Sequence, residues 1–155
     1  MDFKNLTEII DFAIAKEVEA AEFYRTVSEQ EIFSGKKEMF LEFAAEERKH
    51  QALLEDLKSG NLGSKLDDYE FKWITDIKRS DYVDEIAYEP GMPYNDILLL
   101  ASKREEKALA LYNQMLANAD TDESKKVFKM LCQEEAKHKL TLETMLDDYM
   151  AKMGD

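Results

Sequence analysis

The chain has 155 residues, a length that fits one domain with one hydrophobic core. Its 34 acidic residues outnumber its 21 basic residues and give a formal net charge of −13. This charge disfavours nucleic acid as a partner, because phosphate backbones are bound by clusters of Lys and Arg. The single cysteine, Cys132, excludes an intrachain disulfide framework and any cysteine-rich metal module. No window of the sequence is apolar enough to span a bilayer, and no basic segment followed by an apolar run opens the chain. We therefore expect a cytoplasmic protein without a membrane partner.

Apolar residues recur with helical spacing in four stretches of the chain. Asn5 suits the N-cap of the first helix, and Glu8 follows it by three residues. Gly60 ends the second helix, and Pro93 suits the first turn of the third. The predicted helices cover about 6–31, 36–59 and 93–118, and the fourth starts after Asp120 or Asp122 and runs to about 152.

Only a few residues join the first helix to the second and the third to the fourth, so each pair is predicted to form an antiparallel hairpin. The two hairpins cover residues 6–59 and 93–152. A long crossover, residues 60–92, connects them. It carries many large apolar side chains and is predicted to pack along the helices, with a short helix around 73–82. The sequence thus predicts an all-α fold, a four-helix bundle forming a single domain over residues 1–155.

The second hairpin repeats the first at a constant offset of 88 residues, without a gap. This offset aligns Glu17 with Glu105. It also aligns Glu47 with Glu135, and so continues across the turn between the two helices of each hairpin. The sequence therefore contains an internal repeat, in which the second hairpin is a copy of the first.

Each predicted helix has one apolar stripe, and a glutamate interrupts each stripe near its middle. On the second and fourth helices a histidine follows the stripe glutamate by three positions, so the two side chains share one helix face. The six residues are Glu17, Glu47, His50, Glu105, Glu135 and His138. A single Glu-x-x-His is most often a surface pair. Two copies, each placed 30 residues after a stripe glutamate (Glu17 to Glu47, Glu105 to Glu135), indicate a metal site instead.

Burial of four carboxylates requires positive charge beside them, since one unpaired buried carboxylate costs several kcal/mol. The nearby basic residues Lys16, Arg48, Arg104 and Lys137 fall beside the stripes rather than on them. Two divalent cations balance four carboxylates. Glu and His ligands together suit iron, manganese or zinc and disfavour copper, calcium and magnesium.

Tyr24 and Tyr112 lie two turns after the stripe glutamate of their own helices. A buried phenol needs a hydrogen-bond partner, which a metal-binding carboxylate would provide. Core tyrosines whose hydroxyl groups reach backbone or water explain the same positions equally well.

The spacing resembles that of the ferritin-like di-iron carboxylate proteins, and among them the rubrerythrin type. The matching motifs are Glu17-x-x-Ala20-x-x-Phe23-Tyr24, Glu47-x-x-His50, Glu105-x-x-Ala108-x-x-Leu111-Tyr112 and Glu135-x-x-His138. The resemblance implies a ferritin-like bundle that binds two iron ions. It also implies that Glu47 and Glu135 bridge the ions, that Glu17 and Glu105 are terminal ligands, and that His50 and His138 each bind one ion.

Two features depart from the rubrerythrin pattern. Rubrerythrins carry a rubredoxin module with four Cys ligands, which a chain with one Cys lacks, so electrons would come from a separate donor protein. They also have an extra Glu one turn after the third-helix ligand, where this chain has Ala108.

Three functions fit the sequence. The first is an oxidoreductase whose diferrous pair reduces peroxide or dioxygen. The second is iron handling, in which the two metal ions oxidise iron for storage. The third is a structural or binding role, in which the metal only holds the two hairpins together. Ferritin cages usually have a further short helix after the fourth, and only Gly154 and Asp155 remain here, which disfavours a cage. We expect a homodimer instead, although no motif in the sequence shows it directly.

Overall fold

The computed structural model describes residues 6–30, 36–60 and 88–153. These residues form four long α-helices and no strand. The helices are α1 (Leu6–Glu29), α2 (Lys37–Ser59), α3 (Tyr94–Asn118) and α4 (Asp122–Met153). Each helix boundary lies within two residues of its predicted position. Asn5 and the predicted short helix at 73–82 lie outside the described residues.

Local hydrogen bonds explain where the helices begin and end. Gly60 ends α2 with a φ of 79°, a left-handed conformation that glycine adopts without steric cost, and its N–H donates to the carbonyl oxygen of Leu57. At the start of α4, Thr121 and Ser124 form a reciprocal cap. The Ser124 N–H donates to Thr121 Oγ1 at 3.0 Å, and the Thr121 N–H donates to Ser124 Oγ at 3.3 Å.

The described residues fall into two compact units, the first made of 6–30, 36–60 and 119–127 and the second of 88–118 and 128–153. In the first unit, α1 and α2 run antiparallel. Asp11 near the start of α1 pairs with Lys58 near the end of α2, whereas Tyr24 near the end of α1 packs on Phe43 near the start of α2, with ring centroids 5.3 Å apart. The single-domain organisation stays a prediction.

In the second unit, α3 and α4 run antiparallel in the same way. The rings of Tyr94 and Tyr149 meet edge to face at 5.2 Å, and the thiol of Cys132 donates a hydrogen bond of 3.4 Å to Asn113 Oδ1. The start of α3 thus faces the end of α4, and a later part of α3 faces an earlier part of α4, as antiparallel helices require. Each hairpin therefore brings the middle of one helix beside the middle of the next, where the stripe glutamates lie.

The buried residues follow the helical spacing that the sequence predicts. On α1 the stripe residues Ile10, Ala13, Glu17, Tyr24 and Val27 are all at most 4% exposed, and Ala21, Phe23 and Ser28 beside them are buried too. On α3 and α4 the buried surface is wider than one stripe and also includes Ser102, Lys139 and Glu143. Two of these, Lys139 and Glu143, are charged residues that the stripe pattern did not predict to be buried.

Candidate metal centre

The first hairpin brings Glu17, Glu47 and His50 together. His50 Nδ1 lies 3.6 Å from Glu17 Oε2 and 3.8 Å from Glu47 Oε1. Each residue is 2% exposed, so the three polar groups meet away from bulk water. Glu47 and His50 share a face because they are three residues apart on α2, and the antiparallel pairing places Glu17 of α1 opposite them.

The second hairpin repeats this arrangement with Glu105, Glu135 and His138. His138 Nδ1 lies 3.5 Å from Glu105 Oε1. The three residues are 2%, 0% and 2% exposed. The offset of 88 residues that relates the two hairpins in sequence therefore also relates their side-chain geometry.

Each triad offers a donor set that suits a metal ion. Within each triad, one ligand atom per residue lies within 4.8 Å of the others. Two ligand atoms bound to the same metal at about 2.1 Å lie about 3.0–3.4 Å apart, so the histidine–carboxylate distances need only small side-chain adjustments to reach metal-bonding geometry. Two carboxylates with one imidazole are typical ligands of iron, manganese or zinc. The residues present therefore fit a metal in each hairpin.

The basic residues beside the stripes are exposed, as the sequence indicated. The side chains of Lys16, Arg48 and Lys137 are 53%, 46% and 64% exposed. Lys16 and Lys137 pair with glutamates on their own helices, and Arg48 binds Glu22 of α1 at 2.7 Å. These three basic side chains therefore form their ion pairs at the surface.

Sequence reasoning missed one buried ion pair. Lys139 and Glu143, one turn apart on α4, are both 0% exposed, and Lys139 Nζ lies 3.3 Å from Glu143 Oε1. The spacing of four residues from Glu135 to Lys139 and again to Glu143 was visible in the sequence. The aligned residues of the first hairpin, Gln51 and Glu55, gave no reason to expect that these positions would be buried.

The two tyrosines that the sequence placed near the centre are both buried. Tyr24 and Tyr112 are each 1% exposed. The Tyr24 ring stacks on Phe40 at 6.2 Å and meets Phe43 edge to face at 5.3 Å, so its orientation is fixed by aromatic packing within the first hairpin. Hydrogen bonding of these hydroxyl groups to the carboxylates stays a prediction.

Comparison with known proteins identifies the class of protein and then the family. A solved structure of a hypothetical protein from Pyrococcus furiosus matches 93% of this chain and 89% of its own, with a TM-score of 0.70 and 25% sequence identity. The prediction of a ferritin-like four-helix bundle is thereby confirmed. The rubrerythrin family model matches residues 8–146, and the chain belongs to that family.

No curated protein matches the chain. None of the helices in the described part has the length and apolarity needed to cross a bilayer.

Proposed function

We propose that Glu17, Glu47, His50, Glu105, Glu135 and His138 bind two iron ions, and that the protein uses them to reduce peroxide or dioxygen. The observation that carries this proposal is the repeated triad of two buried carboxylates and one imidazole, once in each hairpin. Membership of the rubrerythrin family supports iron as the metal and peroxide or dioxygen as the oxidant.

The balance of buried charge supports two divalent ions. Among the described residues, five glutamates and one lysine are buried. The lysine is Lys139, and it already pairs with Glu143. Four negative charges remain on the candidate ligands, and two divalent cations neutralise them. Such ions offset the cost of keeping carboxylates away from water.

The resemblance to the family suggests which ligand role each of the six residues has. By that resemblance, Glu47 and Glu135 would be the bridging ligands, Glu17 and Glu105 would be terminal ligands, and His50 and His138 would each bind one ion. When bound as a ferrous pair, iron supplies electrons and acts as a Lewis acid.

The remaining roles belong to the protein. The ligand side chains, at most 2% exposed, keep bulk water from the reaction. Tyr24 or Tyr112, each two turns from the glutamate of its own helix, donates a proton or an electron, and the Tyr24 ring is held by Phe40 and Phe43. Reduction of one peroxide to two waters consumes two protons and two electrons. A donor outside these 155 residues returns the electrons, since they contain one cysteine and a rubredoxin-type iron site takes four.

Anaerobic loading with Fe²⁺ followed by stopped-flow mixing with peroxide tests the proposal. We expect two Fe²⁺ per chain and rapid oxidation that is lost in Glu47→Gln. The matched control is Glu55→Gln, an exposed glutamate on the same helix, which should behave as wild type. Oxidation by peroxide that is no faster in wild type than in Glu47→Gln contradicts the proposal.

The same measurements separate the two alternative functions. Uptake of many iron ions per chain after oxidation by dioxygen would favour iron handling. Redox-inert zinc in protein purified from its native host, with only a loss of stability on its removal, would favour a structural metal. Size-exclusion chromatography tests the expected homodimer against a cage.

A further inference from the structure

Ser102 on α3 carries a buried hydroxyl group that has no hydrogen-bond partner in the part of the chain that the structure describes. The residue is 0% exposed, and its Oγ atom bonds to neither backbone nor side chain there. A buried hydroxyl group without a partner costs stability, and an alanine would occupy nearly the same space without that cost. Stability therefore does not explain a serine at this position.

Other hydroxyl groups on the helices bond to their own backbone. Ser28 Oγ donates to the carbonyl oxygen of Arg25 at 2.6 Å, and Thr141 Oγ1 donates to the carbonyl oxygen of Lys137 at 2.9 Å. Such a bond to the preceding turn is open to any serine or threonine inside a helix. Ser102 Oγ does not form one, so its hydroxyl group is available to donate to a ligand.

The internal repeat shows that this position can be filled without a hydroxyl group. The offset of 88 residues aligns Ser102 with Ile14, and each of the two lies one turn before the candidate glutamate ligand of its helix. Ile14 is half-buried and apolar. The two hairpins thus keep the glutamate and differ in the residue one turn before it.

Helix geometry places Ser102 beside Glu105. Residues three apart on a helix have Cβ atoms about 5–6 Å apart. Side chains on a helix lean toward its N-terminus, so the Glu105 side chain extends over the turn that carries Ser102. Its carboxylate also faces α4, where Glu105 Oε1 lies 3.5 Å from His138 Nδ1. The hydroxyl group and the carboxylate are therefore neighbours inside the second hairpin, and both residues are at most 2% exposed.

We propose that the Ser102 hydroxyl group donates a hydrogen bond to a small anion, of the class of hydroperoxide or azide, that binds beside Glu105 once metal ions balance the buried carboxylates. An anion that leaves water needs a donor to replace the hydrogen bonds it gives up, and Ser102 holds a donor that the described residues do not use. A hydrogen bond to a charged ligand lowers its Kd about tenfold or more. The inference rests on the proposed metal centre but not on the proposed reaction.

Azide binding to the Co²⁺-loaded protein, followed by the visible absorbance of Co²⁺, tests the inference without turnover. Wild type is first titrated with Co²⁺, and two ions per chain are expected. Ser102→Ala should then bind azide about tenfold more weakly, while its affinity for Co²⁺ stays within about threefold of wild type. The matched control is Ser28→Ala, which removes a buried hydroxyl group that bonds to its own helix and should leave azide binding unchanged.

Threonine and valine at position 102 separate the hydroxyl group from the size of the side chain. The two side chains have nearly the same shape, and the aligned Ile14 is also β-branched. Ser102→Thr should bind azide within about threefold of wild type, whereas Ser102→Val should bind it about tenfold more weakly. If these larger side chains do not fold, Ser102→Ala decides alone. Its metal-free form should unfold no more than about 2 °C below wild type, because no hydrogen bond to the described protein atoms is lost.

Equal azide affinities in wild type and Ser102→Ala, or in the threonine and valine variants, would overturn the inference, because the serine would then be present for its size. No azide binding to wild type would overturn it as well. So would a change in Co²⁺ affinity alone, or a larger loss of stability in metal-free Ser102→Ala, since the hydroxyl group would then act on the protein. Fewer than two Co²⁺ in wild type would instead overturn the proposed centre, and the inference with it. The expected azide affinities without peroxide reduction would overturn only the proposed reaction.

Discussion

Replacing Glu135 by glutamine should stabilise the metal-free protein while weakening the metal-bound one. Glu135 is 0% exposed, and one of its possible ligand oxygens lies within 4.8 Å of one on Glu105. At the outer limit of that separation, two negative charges repel each other by about 3.5 kcal/mol with an effective dielectric constant of 20. The neutral amide has nearly the same shape and removes this repulsion.

The size of the effect can be measured by thermal unfolding. For a chain of this length, each kcal/mol shifts the Tm by about 2–4 °C, so the metal-free Glu135→Gln protein should unfold roughly 7–14 °C above wild type. With metal present at about 100 times its Kd, wild type gains about 2.7 kcal/mol for each occupied position. The variant should lose this gain for at least one ion.

The assay is far-ultraviolet circular dichroism during heating, once with a chelator and once with Fe²⁺ under anaerobic conditions. Glu123→Gln, an exposed glutamate in the first turn of α4, is the matched control and should shift neither curve by more than about 2 °C. The reasoning fails if metal-free Glu135→Gln is less stable than wild type, since the carboxylate would then be part of the apo fold. It also fails if the variant keeps the full metal-dependent gain and binds two ions.

Three further predictions concern residues outside the ligand set. Burial raises the pKa of the Cys132 thiol to about 11, so roughly one thiol in a thousand is ionised at pH 8, and iodoacetamide should alkylate it over about 100 times more slowly than free cysteine, as followed by mass spectrometry. Unfolding in urea should restore the fast rate, and fast alkylation of the folded protein would contradict the burial of the thiol. Tyr24→Phe keeps the ring contacts and should change the free energy of unfolding by less than about 1 kcal/mol, whereas Tyr24→Ala should lower it by about 3–5 kcal/mol; equal losses in urea titrations would show that the hydroxyl group matters more than the ring. Gly60→Ala should cost about 1 kcal/mol in the same measurement because of the φ of 79° alone, since no heavy atom lies within 4 Å of the added Cβ, and an unchanged stability would contradict the left-handed cap.

The positions of the helices could be predicted because their causes are local. The period of apolar residues marks each helix, and Gly60 and Pro93 mark two of the ends. The candidate ligands could be predicted for a related reason. Glu47 and His50 are brought together by the geometry of one helix, whatever surrounds it. The start of α4 was predicted only to within two residues, because Thr121 and Ser124 form a cap that the acidic residues around them obscured.

The pairing across each hairpin needed the structure. A sequence offset of 88 residues says that the hairpins are alike, but it does not say that His50 Nδ1 lies 3.6 Å from Glu17 on the neighbouring helix. The antiparallel register of α1 and α2 sets that distance. Such a register depends on packing, for example of Tyr24 between Phe40 and Phe43, and not on either helix alone.

The sequence by itself determined that this chain forms four helices and repeats a glutamate and histidine motif twice, because helical periodicity and spacing are properties of the order of residues. Only the tertiary structure decided that Lys139 and Glu143 are buried while the aligned Gln51 is half-buried and Glu55 is exposed. Burial of a helix face is set by what packs against it, so two helices that carry the same Glu-x-x-His motif acquire different environments in one fold. The similarity of the two hairpins can therefore be predicted from the sequence, whereas the difference in burial between their aligned residues depends on packing.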